Sequence, residues 1–269
     1  MWIFDRKPHR RAGDLGRLSL LAALAVSLLV PTGTQLDAQT CTPPPAGLVA
    51  WWPLDSDGED VIGSHQGTAQ GAGGLFVPSL VGNGFRSGGQ ASVIVVPDAS
   101  TLDLSQFTLD AWIRIDALYS LAMDLVFKGN SAGQDLSSPF AMWVNGSGSA
   151  QPGLLGFLVT NGSAEDLIMS AAPLPLGQFL QVAATYDGSV ARLYVNGSQV
   201  NSKTMGLVPV NSIHPIQIGG VSEAAVPNYL NGVIDEVEYF NRALGSSEIQ
   251  TIYNAGAAGK CRACGIRQF

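Results

Sequence analysis

Residues 178–205 (QFLQVAATYDGSVARLYVNGSQVNSKTM) constrain the fold of this chain more than any other stretch, because they hold two hairpin signals in succession. Asp187-Gly188 separates an apolar run, Phe179 to Tyr186, from an alternating one, Val190 to Val195. Asn196-Gly197 separates that run from Gln199 to Thr204. Asp-Gly and Asn-Gly suit two-residue turns whose central residues both need positive φ, and the twist of such turns matches right-twisted strands. Between the turns, Ala191, Leu193 and Val195 alternate with Val190, Arg192 and Tyr194, a period of two. The spacing predicts an antiparallel meander, and its apolar face requires a second layer.

The same rhythm runs through the rest of the chain. Strands are expected at residues 48–55, 69–79, 81–85, 91–97, 107–115, 125–128, 140–144, 153–160, 166–171, 216–219 and 232–240. In FTLDAWIRI, Phe107, Leu109, Ala111, Ile113 and Ile115 share one face; Thr108, Asp110, Trp112 and Arg114 take the other. Trp51 and Trp52 are adjacent, so one belongs to the core and its neighbour is exposed or covered by a loop. Near the end, Gly245 stands as N-cap of a short helix with Glu248 at N3, Leu244 and Ile249 as a hydrophobic staple, and Gly256 at C′. With 32 glycines and 13% charged residues, the composition fits many short strands and tight turns. The reading is one all-β domain of two antiparallel sheets with one short C-terminal helix.

Residues 1–40 read as an address. Arg6, Lys7, Arg10, Arg11 and Arg17 precede an apolar run, LSLLAALAVSLLV, which Pro31 and Gly33 break before small residues lead to Ala38. That is the pattern of a cleaved secretory signal, and the run is shorter than the roughly 18–20 residues of a membrane span. Export to an extracellular or periplasmic location is expected, with no membrane span after cleavage. These 40 residues hold five of the 14 Lys and Arg and three of the 21 Asp and Glu, so residues 41–269 carry 9 and 18, net −9. Such a chain is repelled by nucleic acid and by anionic membranes. Residues 41–46 are a stiff lead-in, 47–257 the domain, and 258–269 a tail containing cysteine. Cys41, Cys261 and Cys264 are free to oxidise outside the cell. A bridge between Cys261 and Cys264 closes a strained small ring, whereas Cys41–Cys261 is the natural staple if the chain ends meet.

Four segments together resemble one family: GLVAWWPLD with its HQGT loop, ASVIVVPDASTLDLSQFTLDAWIRI, QVAATYDGSVARLYVNG, and LNGVIDEVEYFNRALGSSEIQTIYNAG. The chain looks like a bacterial secreted laminin-G-like protein of the concanavalin A-like lectin/glucanase superfamily. The resemblance implies a jelly-roll sandwich with neighbouring first and last strands, which favours the Cys41–Cys261 pairing. It also implies a structural Ca²⁺.

Acidic side chains offer the first candidate chemistry. Asp55, Asp57 and Asp60 follow the first strand and Asp235 lies in the last, so Asp55, Asp235 and then Asp60 are the expected ligands of calcium, an oxygen-seeking cation. Asp and Gly in that loop also serve turn geometry alone. Glu236 and Glu238 share a strand face like a glycosidase pair, but no further acid follows within Tyr239 to Asn241, and they read as two exposed acids. His65 and His214 have no metal or triad partners at coherent spacing. Among the aromatics, Trp143 with Asn145, and Tyr119, are the expected sugar-stacking residues; Trp112 and Tyr229 are expected to pack. The expected function is a non-catalytic module that binds glycans or cell-surface polymers. The alternatives are an adhesion protein with a protein partner and, third, a glycosidase or lyase.

Overall fold

The computed structural model describes residues 41–87, 92–129, 136–221 and 228–262. The leader read in residues 1–40 and the fate of Cys264 lie outside them. Fifteen strands follow in order: β1 Leu48–Trp52, β2 Thr68–Gln70, β3 Leu75–Pro78, β4 Asn83–Arg86, β5 Val93–Val96, β6 Phe107–Ile115, β7 Met123–Lys128 and β8 Phe140–Val144. Then come β9 Leu155–Thr160, β10 Glu165–Met169, β11 Phe179–Tyr186, β12 Val190–Val195, β13 Ser198–Thr204, β14 Ile216–Ile218 and β15 Gly232–Phe240. Among the described residues one α-helix, α1 Ser246–Ala255, follows the last strand. No described helix is long and apolar enough to cross a membrane.

Two antiparallel sheets face each other. The first runs β13-β12-β11-β6-β15-β4-β3, with β1 also paired to β15; the second runs β10-β9-β8-β7-β14-β5-β2. The meander read from the two turns is β11-β12-β13 at the edge of the first sheet. Strand β6 has the expected bounds, and its apolar face enters the core between the sheets. Phe107 is a hub there: the rings of Phe140, Phe157, Tyr186 and Tyr239, drawn from both sheets, lie 5.0–6.2 Å from it. Trp52 joins this core, while Trp51 points to the other face of its strand.

The outer face of the first sheet is also buried over its central strands, because the C-terminal segment forms a third layer there. Leu244, Ile249 and Ile252 pack with Ala183, Tyr194 and Phe240, and Trp112 stacks on Tyr253 at 5.8 Å. Helix α1 begins as expected: the Gly245 N–H donates to Glu248 Oε2 at 3.0 Å. Arg242 pairs with both oxygens of Glu248 and holds that carboxyl down to about 2. Gly256, expected one residue beyond the helix cap, is itself the C-cap.

Strand β15 carries a bulge that alternation alone does not reveal. Asp235 stands opposite Trp112 and Glu238 opposite Asp110, so three steps on β15 match two on β6. Glu236 absorbs the extra residue with φ of 52°. An inserted residue reverses the inward-outward sequence, so Ile234, Val237 and Tyr239 all reach the core. Glu236 and Glu238 are thereby turned to the outer face. The expectation that they are exposed is corrected: both are fully buried, because the tail covers this face.

Candidate functional site

Two arrangements of polar side chains stand out, one on each outer face. Beneath the tail, Glu236, Glu238 and Asp110 are all fully buried around Lys260, and Arg262 also lies 3.7 Å from Glu236 Oε1. Lys260 Nζ lies 3.1 Å from Glu236 Oε2 and 3.5 Å from Glu238 Oε1. The Gln181 amide donates to Asp110 Oδ2 and accepts the Gly197 N–H at 2.8 Å. Burial pushes the Asp110 and Glu238 carboxyls above the usual range, and Lys260 offsets that only in part. Burial works against the lysine ammonium, but Glu238, Glu236 and Asp110 outweigh it and hold its pKa above the ordinary lysine value. Lys260 and Arg262 lie over the Trp51 ring at 5.4 and 5.9 Å, so the tail is what covers this tryptophan. The tail is fastened by the Cys41–Cys261 disulfide, the pairing favoured by the sequence, and by a parallel bridge between Thr42 and Lys260.

The expected calcium ligands adjoin this cluster. Asp55 Oδ1 accepts the Asn83 N–H at 2.9 Å, and its other oxygen meets the Arg262 guanidinium. A Cβ on Gly82, at φ +63°, would stand 2.3 Å from Asp55 Oδ1, so glycine is required for this approach. Asp235 Oδ2 accepts the Val81 N–H at 3.1 Å; burial, with Glu236 and Asp55 nearby, pushes its carboxyl up to about 7. Asp60 serves its own loop: it accepts the N–H groups of Trp51, Ile62 and His65 and meets the His65 ring. No three acidic, His or Cys side chains among the described residues are grouped to hold a metal. Asp60 is thus taken up by donors of its own neighbourhood, whereas Asp55 and Asp235 stand close enough for one charge to act on the other. The Arg262 guanidinium of the tail stands beside Asp55.

The second arrangement is a cleft of about 650 Å³ on the outer face of the second sheet. Strand registers place Asp124 of β7 opposite Trp143 of β8, and Trp143 opposite Gly156 of β9. The indole lies on Gly156: a Cβ there would come within 2.4 Å of its Cε2 and Cζ2. The indole N–H donates to Asn145 Oδ1 at 2.9 Å, and Asn145 Nδ2 donates to the Gln151 carbonyl, which fixes the ring. Phe127, Ala141, Val221 and Leu158 form the apolar floor beside Trp143. Ser138, Thr160, Glu165 and Asn228 supply polar groups. Burial pushes the Asp124 carboxyl up to about 7, against a hydrogen bond from Asn228.

Trp143 thus sits in the cleft and Asn145 behind it as its anchor. Tyr119 does not join them: it packs partly buried against the main core, and its carbonyl accepts the Ser147 N–H at 2.7 Å. Trp112 and Tyr229 are buried, in packing roles. Asp124, Ser138, Gly156 and Asn228 escaped the sequence reading. One signal existed, since an isolated Gly inside a strand marks a close approach by another group.

The family model of the concanavalin A-like lectin/glucanases superfamily matches residues 87–250. Domain 4 of AbnA, a GH43 extracellular arabinanase from Geobacillus stearothermophilus solved with arabinotriose, is similar at 20% identity and a TM-score of 0.60. The match covers 76% of this chain and 96% of that domain. The binding domain of Paraclostridial Mosquitocidal Protein 1 is similar at 19% identity and a TM-score of 0.60, over 78% of this chain and 52% of that one. A Trypanosoma rangeli sialidase gives 21% identity and a TM-score of 0.58, over 80% of this chain and 36% of the enzyme. At these identities the likeness is one of fold. No curated protein matches the sequence significantly. The family match spans more than half of the chain and agrees with its two facing antiparallel sheets, and the chain belongs to the concanavalin A-like lectin/glucanases superfamily.

Proposed function

We propose that this chain is an exported, non-catalytic binding module for glycans or similar extracellular polymers, and that its ligand lies in the cleft of the second sheet. The observation that carries the reading is Trp143, half-buried, backed by Gly156 and anchored by Asn145 in a cleft of about 650 Å³. A flat indole suits the C–H side of a pyranose, and apolar clefts of roughly 300–1,000 Å³ with a few polar groups are the usual form of small-ligand sites. The arabinotriose complex of the AbnA domain supports a saccharide as the ligand. Glu236 and Glu238, the pair most like a glycosidase's, are sealed beneath the tail, which supports a non-catalytic role. The basic and apolar leader and the disulfide support export.

The test is a polysaccharide and glycan array probed with the oxidised protein and with Trp143→Ala. Selective binding that Trp143→Ala abolishes, with the folding transition retained, is the expected result. A blank array, or binding that survives the substitution, overturns this site; capture by a protein partner in its place favours adhesion.

A further inference from the structure

The cleft described above has a one-sided charge. Asp124 and Glu165 line it, and no Lys, Arg or His does so among the described residues. Neither acid has an ion-pair partner among the described ion pairs. The neighbouring Lys203 is turned to Asp166 and to the Leu167 carbonyl. Resting on the reading that a saccharide occupies this cleft, we infer that it selects sugars bearing a free, protonated amino group, held by Asp124 while the sugar ring stacks on Trp143.

The strand register sets this geometry. Asp124 and Trp143 are directly opposed on β7 and β8. Opposed residues hold their Cβ atoms about 4.5–5.5 Å apart, so the edge of a ring on the indole falls within reach of the carboxylate. Asp124 is also fixed from behind: its backbone N–H donates to the Asn228 carbonyl at 2.9 Å. Its carboxyl has lost solvation without gaining a counter-charge, and its raised pKa of about 7 is the mark of that. An ammonium from the ligand supplies the missing charge. The indole face attracts cations for its own reason, the negative face of the ring quadrupole.

Acidic sugars meet the opposite situation. Uronate or sialate carboxylates face two like charges in the cleft, on a chain of net charge −7.

Calorimetric titration tests the inference with three oligosaccharides of equal length: glucosamine, N-acetylglucosamine and galacturonate. The glucosamine oligomer is expected to bind about tenfold more tightly than its acetylated form at low salt, a difference of about 1.4 kcal/mol. Asp124→Asn, which keeps the shape, should erase that difference, read as the ratio of the two affinities. Equal affinities, or a preference for galacturonate, overturn the amino-sugar inference and leave the glycan site standing. If no saccharide binds, or if Trp143→Ala leaves binding unchanged, the glycan reading fails and this inference with it. A lysine oligopeptide that binds where the saccharides do not overturns both in favour of a protein ligand.

Discussion

Replacing Lys260 by methionine removes the buried cation beneath the tail while keeping a side chain of similar length. At 3.1 and 3.5 Å, its attractions to Glu236 and Glu238 in their ionised forms are each about 5 kcal/mol at an effective dielectric of about 20, before desolvation is counted. Desolvation of the ammonium offsets much of this, and loss of one partner from a buried pair costs about 3–5 kcal/mol. For a domain of this size that is a fall in Tm of about 6–20 °C. The loss should depend on pH in a definite direction. Asp110 and Glu238 have folded pKa values near 7 and 8, against ordinary values of 3.8 and 4.5. A raised value means that the folded chain binds the proton more tightly, so this contribution is full at acidic pH and fades as pH climbs through that window. Without Lys260 both values rise further, so the variant's deficit should widen between about pH 5 and about pH 8. Urea denaturation of both proteins at the two pH values is the assay. A deficit below about 1 kcal/mol, the size of a surface pair, or one that shrinks as pH rises, would refute the reasoning. Adding Glu238→Gln to the variant should recover part of the loss.

Three further outcomes are expected. Cys41→Ser with Cys261→Ser should cost about 2–5 kcal/mol, because the bridge closes most of the chain into one loop; reductant should have the same effect on the parent and none on the double variant. Gly156→Val should displace the Trp143 indole and destabilise by about 1–3 kcal/mol through overpacking, seen as a shift in tryptophan emission and a lower urea midpoint; an unchanged spectrum counts against the stacked geometry. A chelator should leave Tm unchanged, since Asp55 and Asp60 are engaged by protein donors; a clear fall restored by calcium would reveal a bound ion.

Much of the fold was legible because its signals are local. Asp187-Gly188 and Asn196-Gly197 set the meander, and a period of two set the core face of β6. The first strand ended sooner than its apolar run: after Trp52 the chain turns through Pro53 and Leu54, the latter at φ of 61°. Of the candidate site, Trp143 and Asn145 were legible, since a tryptophan beside an amide and a Gly-Ser loop is a local pattern. Their partners were not. Asp124 and Gly156 meet Trp143 only through strand pairing across three strands, and nothing in either residue's own neighbourhood marks that meeting.

By itself, then, the sequence determined the strand-and-turn rhythm, the inward faces, the capped helix and the cysteines able to join the chain's ends, because each depends on residues a few positions apart. Only the tertiary structure decided where the charges went. The bulge at Glu236 turns two acids outward, where solvent is the usual environment of a sheet's second face. The disulfide then lays the tail across that face, and Lys260 arrives from beyond helix α1 to meet them. Burial of a charge is a property of the layer above it, and that layer comes from the far end of the chain.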